Sequence, residues 1–138
     1  TQILTYQKRL SGPLLDRIDM VVPVSRIPHD QLLASTLSSD KQHSSAKSII
    51  NIVREKQRNR YKSSTKNNSS LTTGEVKKFV PLSPESKQFL DTAASKLKLS
   101  ARSYFKILKV ARTIADIEAS DTVEIPHLAE ALQYRQNT

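Results

Sequence analysis

Between Leu99 and Glu118 the apolar residues Tyr104, Ile107, Leu108, Ala111, Ile114 and Ala115 recur at steps of three and four, which puts them on one stripe of a helix and makes that stripe a core face. Ser100 is a good N-cap, Ala101 a good first helical residue, and Leu99 stands where it can staple onto Tyr104, so the helix start is set within a residue or two. Upstream, Ser83 followed by Pro84 predicts another start, and Phe89, Leu90, Ala93, Ala94 and Leu97 continue an apolar stripe from it. The joint at Lys98 and Leu99 is so short that these two helices pack as a hairpin or corner. Ala119-Ser120-Asp121 breaks the pattern, and Val123 and Ile125 approach the core as an extended piece. Pro126 opens a last helix with Leu128, Ala131 and Leu132 inward. Residues 83 to 136 thus read as a three-helix bundle. A helix from Ser45 to Tyr61, carrying Ile49, Ile50 and Val53, adds a fourth member.

The pattern weakens before the bundle. Ile3, Leu4, Tyr6 and Leu10 among polar residues suit a short helix, broken by Ser11-Gly12-Pro13. Met20 to Val24 reads as a strand, which ends near Pro23 or lies at an edge because proline cannot donate to a ladder. One strand makes no sheet, so it pairs with something outside these residues or stays irregular. Arg26 to Thr36 predicts a short helix with Leu32 and Leu33, started by His29 or Asp30, and Ser38 to Ser45 a polar connector. Ser63 to Gly74 is a low-complexity polar run that predicts a mobile loop, followed by a short turn anchored by Val76, Phe79 and Val80. The expected fold class is mainly α, a helical bundle with one strand ahead of it.

Composition narrows the chemistry. At 138 residues the chain fits one modest domain or parts of two. It begins at Thr1 rather than methionine, so the expectation is a fragment of something longer. A formal charge of +9 favours an anionic partner, nucleic acid or bound phosphate. No apolar run approaches a membrane span and nothing resembles a signal peptide, so the expectation is a soluble, cytoplasmic protein. Cysteine is absent, and His29, His43 and His127 are too scattered for a metal motif and read as surface residues. With only Gly12 and Gly74, the phosphate-cradling pattern G-x-x-x-x-G-K-[ST] has no place in the chain, and no apolar run ends in Asp-Glu. These residues alone are not expected to hydrolyse ATP.

Several cations admit two readings. Arg102 falls in the first turn of the central helix, where the macrodipole opposes a positive charge. It is either a solvated residue or a ligand for an anion at the helix start. Arg17, between Asp16 and Asp19, reads locally as a paired arginine. Arg54, Lys56, Arg58, Arg60 and Lys62, opposed only by Glu55, form either a solvated helix face or a contact for a phosphate backbone with Tyr61 available to stack on a base. Lys106 and Lys109 share a polar face with Arg102 and either line a nucleotide cleft or solvate the helix. Arg112 can pair with Asp116 at i+4 and reads as structural.

The run Leu-Ser-Ala-Arg-Ser-Tyr-Phe-Lys-Ile-Leu-Lys-Val-Ala-Arg-Thr-Ile-Ala-Asp-Ile at 99 to 117, with His-Leu-Ala-Glu-Ala-Leu-Gln-Tyr-Arg at 127 to 135, closely resembles the C-terminal end of the Mg-chelatase-like AAA+ ATPases of the ComM (competence protein) type. Ser-Gly-Pro-Leu-Leu-Asp-Arg-Ile-Asp at 11 to 19 resembles the same family's box before the last core strand. The resemblance implies that residues 1–28 end an AAA+ core, 29–62 are connecting helices, 63–82 a polar flexible insertion and 83–138 a three-helix lid. It further implies that Arg17 is an arginine finger acting on a neighbouring subunit's ATP, and that Arg102 is the sensor-2 residue at the nucleotide phosphates. Lys109 matches a position often basic in the family. By this resemblance the intact protein binds ATP with Mg²⁺ held by its core, assembles as a homo-oligomeric ring such as a hexamer, and couples hydrolysis to work on DNA. The rival reading is a small basic helical module that binds nucleic acid directly through Arg54, Lys56, Arg58, Arg60 and Lys62.

Overall fold

The computed structural model describes residues 17–26, 29 and 39–135. The helix expected over the first ten residues, the break at Ser11-Gly12-Pro13 and most of the short helix with Leu32 and Leu33 lie outside the described residues. Those that are described form α1 (Ser39–Tyr61), a 3-10 turn (Asn68–Ser70), α2 (Thr73–Phe79), α3 (Pro84–Lys96), α4 (Ala101–Ile117) and α5 (Ile125–Gln133). Among them there is no sheet, only an isolated parallel bridge between Leu82 and Val123, closed by the Val123 amide donating to the Pro81 carbonyl at 3.0 Å. The fold class is therefore mainly α.

The organising element is α4, which α1, the 3-10 turn, α2 and α5 all contact. Its inward stripe is the one its spacing predicts: Ile107, Leu108, Ala111, Ile114 and Ala115 are buried. Ala111 and Ala115 keep that face thin, which lets neighbouring helices approach closely. Leu71, Val76, Val80, Leu90, Val123, Leu128 and Ala131 complete the core from the other elements. Helix α3 is further tied to α4 by the Tyr104 hydroxyl, which donates to Asp91 Oδ1 at 2.9 Å; burial and that bond push the phenol up to about 12.

The helix ends follow local rules, with one departure. Ser83 Oγ accepts from the Ser86 amide and Ser100 Oγ from the Ser103 amide, each at 3.1 Å, so both predicted N-caps form. At the far ends, Leu99 N donates to Ala94 O at 2.9 Å and Ser120 N to Ala115 O at 2.8 Å. These are the six-to-one bonds of a Schellman motif, whose penultimate position favours glycine in the left-handed region. Here Lys98 (φ 49) and Ala119 (φ 61) occupy it. Ala119→Gly is expected to stabilise the chain by about 1 kcal/mol, since relief of the Cβ clash exceeds the added entropy of the unfolded chain. A lowered urea midpoint would contradict it.

Two segments differ from expectation. Residues 63–82, expected as a flexible insertion, contain two capped elements. Asn67 accepts from the Ser70 amide, Thr72 pairs reciprocally with Glu75, and Asn68, Leu71, Val76 and Val80 are buried. Met20–Val24, expected as a strand that pairs outside these residues or stays irregular, forms no strand and has no ladder partner among the described residues, with Met20, Val21, Val22 and Val24 exposed. Among the described residues its one hydrogen bond to the bundle is the Val21 amide donating to Tyr134 O at 2.8 Å.

Helix α1 starts at Ser39, ahead of the expected Ser45. Its 23 residues span about 34 Å. Residues 41–52 are exposed, Ile49, Ile50 and Ile52 included, and Val53 is the first to be buried.

Candidate functional site

Helix α4 carries no acidic residue in its first turn, so Arg102 finds no local counter-charge there. It is exposed and makes no ion pair or hydrogen bond to a described residue. One turn further on, Lys106 is turned down onto the chain: its Nζ donates to Ile18 O at 3.0 Å and stands 3.4 Å from Asp19 Oδ1, with the side chain only 14% exposed. That contact lays residues 17–19 against the opening turns of α4. Arg17 is exposed beside Ile18 and likewise makes no ion pair or hydrogen bond to a described residue. Of its two expected partners, Asp19 is engaged by Lys106 and Asp16 lies outside the described residues.

Two exposed guanidinium groups, each with five donors and no ion-pair partner among the described residues, are thus held on one body. Such groups match the oxygens of a phosphate chain bidentately and match a metal ion not at all. No group of three or more His, Asp or Glu side chains suited to a metal occurs among the described residues. The two arginines fit the oxygens of phosphates, and the described residues offer no such cluster for Mg²⁺.

The remaining predicted cations are spent elsewhere. Lys109 Nζ donates to Ser69 O at 3.0 Å, pinning the 3-10 turn rather than lining a cleft with Arg102. Along α1 the basic row divides. Arg54 and Lys62 are exposed, and Arg58 pairs with Glu55 at 3.1 Å. Lys56 donates to Asp116 O at 3.2 Å, and Arg60 turns inward onto the Asp116 carboxylate. Tyr61 is buried with its ring edge-on to Phe79, centroids 5.2 Å apart, and is therefore no platform for a base. The five cations do not form one open face.

The expected Arg112–Asp116 pair forms, but within a buried polar centre that sequence reasoning missed. Asp116 is 1% exposed and Arg112 0%. Asp116 Oδ2 accepts from Arg60 Nη1 at 2.8 Å and Asn68 Nδ2 at 2.9 Å; Oδ1 accepts from Arg112 Nη2 at 3.0 Å and also from Arg60 Nη2. Arg112 continues to Asp121 O at 2.6 Å and to the Ser120 carbonyl, capping the end of α4. Asn68 is fully used: its amide N–H donates to Gln57 Oε1 at 2.9 Å, its Nδ2 also to Thr113 Oγ1 at 3.0 Å, and its Oδ1 accepts from the Tyr61 hydroxyl. Burial pushes the Asp116 carboxyl up, but the bonds from Arg60 and Asn68 and the two guanidinium charges outweigh it and hold the group below the usual carboxylate range. Its bond to Asp116 raises Arg60, whereas burial lowers Arg112.

His127, expected at the surface, is buried. Its Nδ1 accepts from the Glu124 amide at 2.9 Å, which leaves Nε2 to carry the proton toward Glu118 Oε2 at 2.9 Å. It fastens the start of α5 to the end of α4. His29 and His43 are exposed as expected.

Comparison with known proteins agrees with this architecture. Residues 40–135 match the family model "Magnesium chelatase, subunit ChlI C-terminal", and residues 1–32 match "Magnesium chelatase, subunit ChlI". The chain is 40% identical over 134 residues to the competence protein ComM of Haemophilus influenzae, covering 97% of this chain and 26% of that protein. It is 37% identical over 134 residues to the uncharacterized protein YifB of Escherichia coli, again covering 97% of this chain and 26% of the relative. An uncharacterized protein of Mycobacterium tuberculosis is 30% identical over 133 residues, or 95% of this chain and 26% of its own length. The chain therefore spans about a quarter of the relatives it matches. With both matched regions in the order C-terminal module after ChlI module, the chain belongs to the magnesium chelatase ChlI C-terminal family and is a Mg-chelatase-like AAA+ fragment of the ComM and YifB type.

Proposed function

We propose that this chain is the lid-bearing part of a ring-forming AAA+ ATPase, with Arg102 as the sensor-2 contact to ATP phosphates and Arg17 as the arginine finger. The observation that carries the reading is the docking of residues 17–19 on α4 through Lys106, which leaves Arg17 and Arg102 without partners among the described residues while every neighbouring cation of α4 is engaged. An exposed arginine at a helix start is opposed by the macrodipole and finds its best partner in an anion that the same helix end attracts.

Bound ATP, with Mg²⁺ held by the rest of the protein, supplies the anhydride bond that is cleaved. Arg102 binds and orients its phosphates. Arg17 offers its donors to oxygens on which charge builds during transfer. With only Gly12 and Gly74 in these residues, binding of the triphosphate backbone falls in this reading to the rest of the protein. The work done is on DNA, in keeping with the +9 charge, and the ring is a homo-oligomer. Of the basic row on α1, only Arg54, Arg58 and Lys62 are left at the surface to meet a nucleic acid, so direct binding by this helix is the weaker reading.

In the full-length protein, Arg102→Ala is expected to weaken ATP binding by about 10- to 100-fold, the worth of a charge-assisted hydrogen bond, with Arg102→Lys in between. Titration with a fluorescent ATP analogue measures it. Wild-type affinity and hydrolysis in Arg102→Ala would remove the sensor assignment.

A further inference from the structure

We infer that Lys106 is a positioning residue for ATP hydrolysis: by clamping Ile18 and Asp19 onto α4 it sets where Arg17 stands relative to Arg102. The inference rests on the reading of Arg17 given above and assigns its control to a residue that does not touch the nucleotide.

Every residue from Arg17 to Arg26 is exposed, so apolar burial does not fix the segment. The amide of Val21 is tied to the end of α5 at Tyr134 O, four residues past Arg17. Without a second tie, Arg17 would swing about that point. The second tie is Lys106, whose Nζ holds the Ile18 carbonyl at 3.0 Å and the Asp19 carboxylate at 3.4 Å.

Lys106 is also an unusual choice for a solvated helix face. With 14% of its side chain exposed, its ammonium has given up most of its hydration. That loss is acceptable only where donors meet acceptors, and two of its acceptors belong to the residues that directly follow Arg17. Lys106 stands one helical turn from Arg102, on the same side of α4. The bond therefore links the two arginines through one lysine: a shift of α4 on engaging phosphate is transmitted to the segment that presents Arg17.

The experiment is steady-state hydrolysis by the full-length protein carrying Lys106→Met, which keeps the stem and removes the donors, alongside Arg17→Ala, the double variant and Lys106→Arg. Misplacement of a transition-state group acts on kcat, so Lys106→Met should lower kcat by about tenfold or more with KM for ATP within about twofold. The double variant should be no slower than Arg17→Ala, and Lys106→Arg should recover part of the loss. Asp19→Asn, at an exposed carboxylate that leaves the Ile18 bond intact, should show a smaller loss of kcat and keeps the test available if Lys106→Met folds poorly. Wild-type kcat in Lys106→Met and Asp19→Asn, with Arg17→Ala impaired, overturns the inference and leaves the finger assignment standing. A double variant slower by the product of the single losses also overturns it, because Lys106 would then act independently of Arg17. If Arg17→Ala itself hydrolyses ATP normally, the underlying reading fails and the inference fails with it.

Discussion

Arg17→Ala in the full-length protein is expected to lower kcat for ATP hydrolysis by about 10³-fold or more while leaving ATP affinity close to wild type. A finger meets charge that develops on the transferring phosphoryl group, so its removal acts on the transition state more than on the bound ground state. Arg17 is exposed and has no ion-pair partner among the described residues, Asp19 being held by Lys106. A finger that serves the neighbouring subunit makes a further demand. Mixed with a variant disabled in its phosphate-binding loop but carrying Arg17, the Arg17→Ala protein should regain hydrolysis, because some interfaces then pair an intact loop with an intact finger. Phosphate release from the mixture, compared with the sum of the separate proteins, measures it. Wild-type turnover by Arg17→Ala would end the assignment, and a mixture no faster than that sum would end its action across an interface.

The parts of this fold that were legible in the sequence are those whose partners lie nearby along the chain. The caps at Ser83 and Ser100 are read from one turn of sequence, and both form. The stripe of α4 needs only its own period of three and four, and its residues are buried. The elements within 63–82 were less legible for a complementary reason. Ser, Thr and Asn are the residues of polar loops, and equally the residues that cap short helices and turns. Asn68 is buried by convergence with Thr113 and Asp116, 45 and 48 residues away, which no local window contains. One signal was present: Thr72-Thr73-Gly74-Glu75 has the spacing of a capping box, and that box forms.

Arg60 carried a similar clue. It stands seven residues after Val53 and three after Gln57, both buried, so it lies on the inward stripe of α1 rather than with Arg54 and Arg58. Charge counting grouped by type residues that helical geometry separates. The segment Met20–Val24 shows the converse. Its β-branched composition expresses a preference for extended backbone, but a strand also needs a neighbour, and none pairs with it among the described residues.

Asp116→Ala is expected to destabilise the chain by about 3–5 kcal/mol, the cost of leaving buried charge uncompensated. Arg112 and Arg60 converge on that one carboxylate, and Arg112 has no route to solvent. Removing Arg60 should cost less, since its side chain is partly exposed and Arg112 still answers Asp116. Protonation has the same sense as mutation. The folded carboxyl is held below its unfolded value near 3.9, so its contribution is complete above about pH 5 and is lost as pH falls through the folded value. Urea unfolding at pH 7 and near pH 3 tests both statements. The wild-type midpoint should fall with acid more steeply than that of Asp116→Asn, which has lost this carboxylate already. Glu75, lowered to about 2 by Lys66 and Thr72, adds an acid dependence common to both proteins and cancels in the comparison. An unchanged midpoint for Asp116→Ala at pH 7 would show that the convergence contributes nothing to folding. The network also fastens α1 to the far end of the helix whose first turn carries Arg102. Any displacement of α4 that follows phosphate contact therefore carries the exposed arm of α1 with it for as long as Asp116 stays charged.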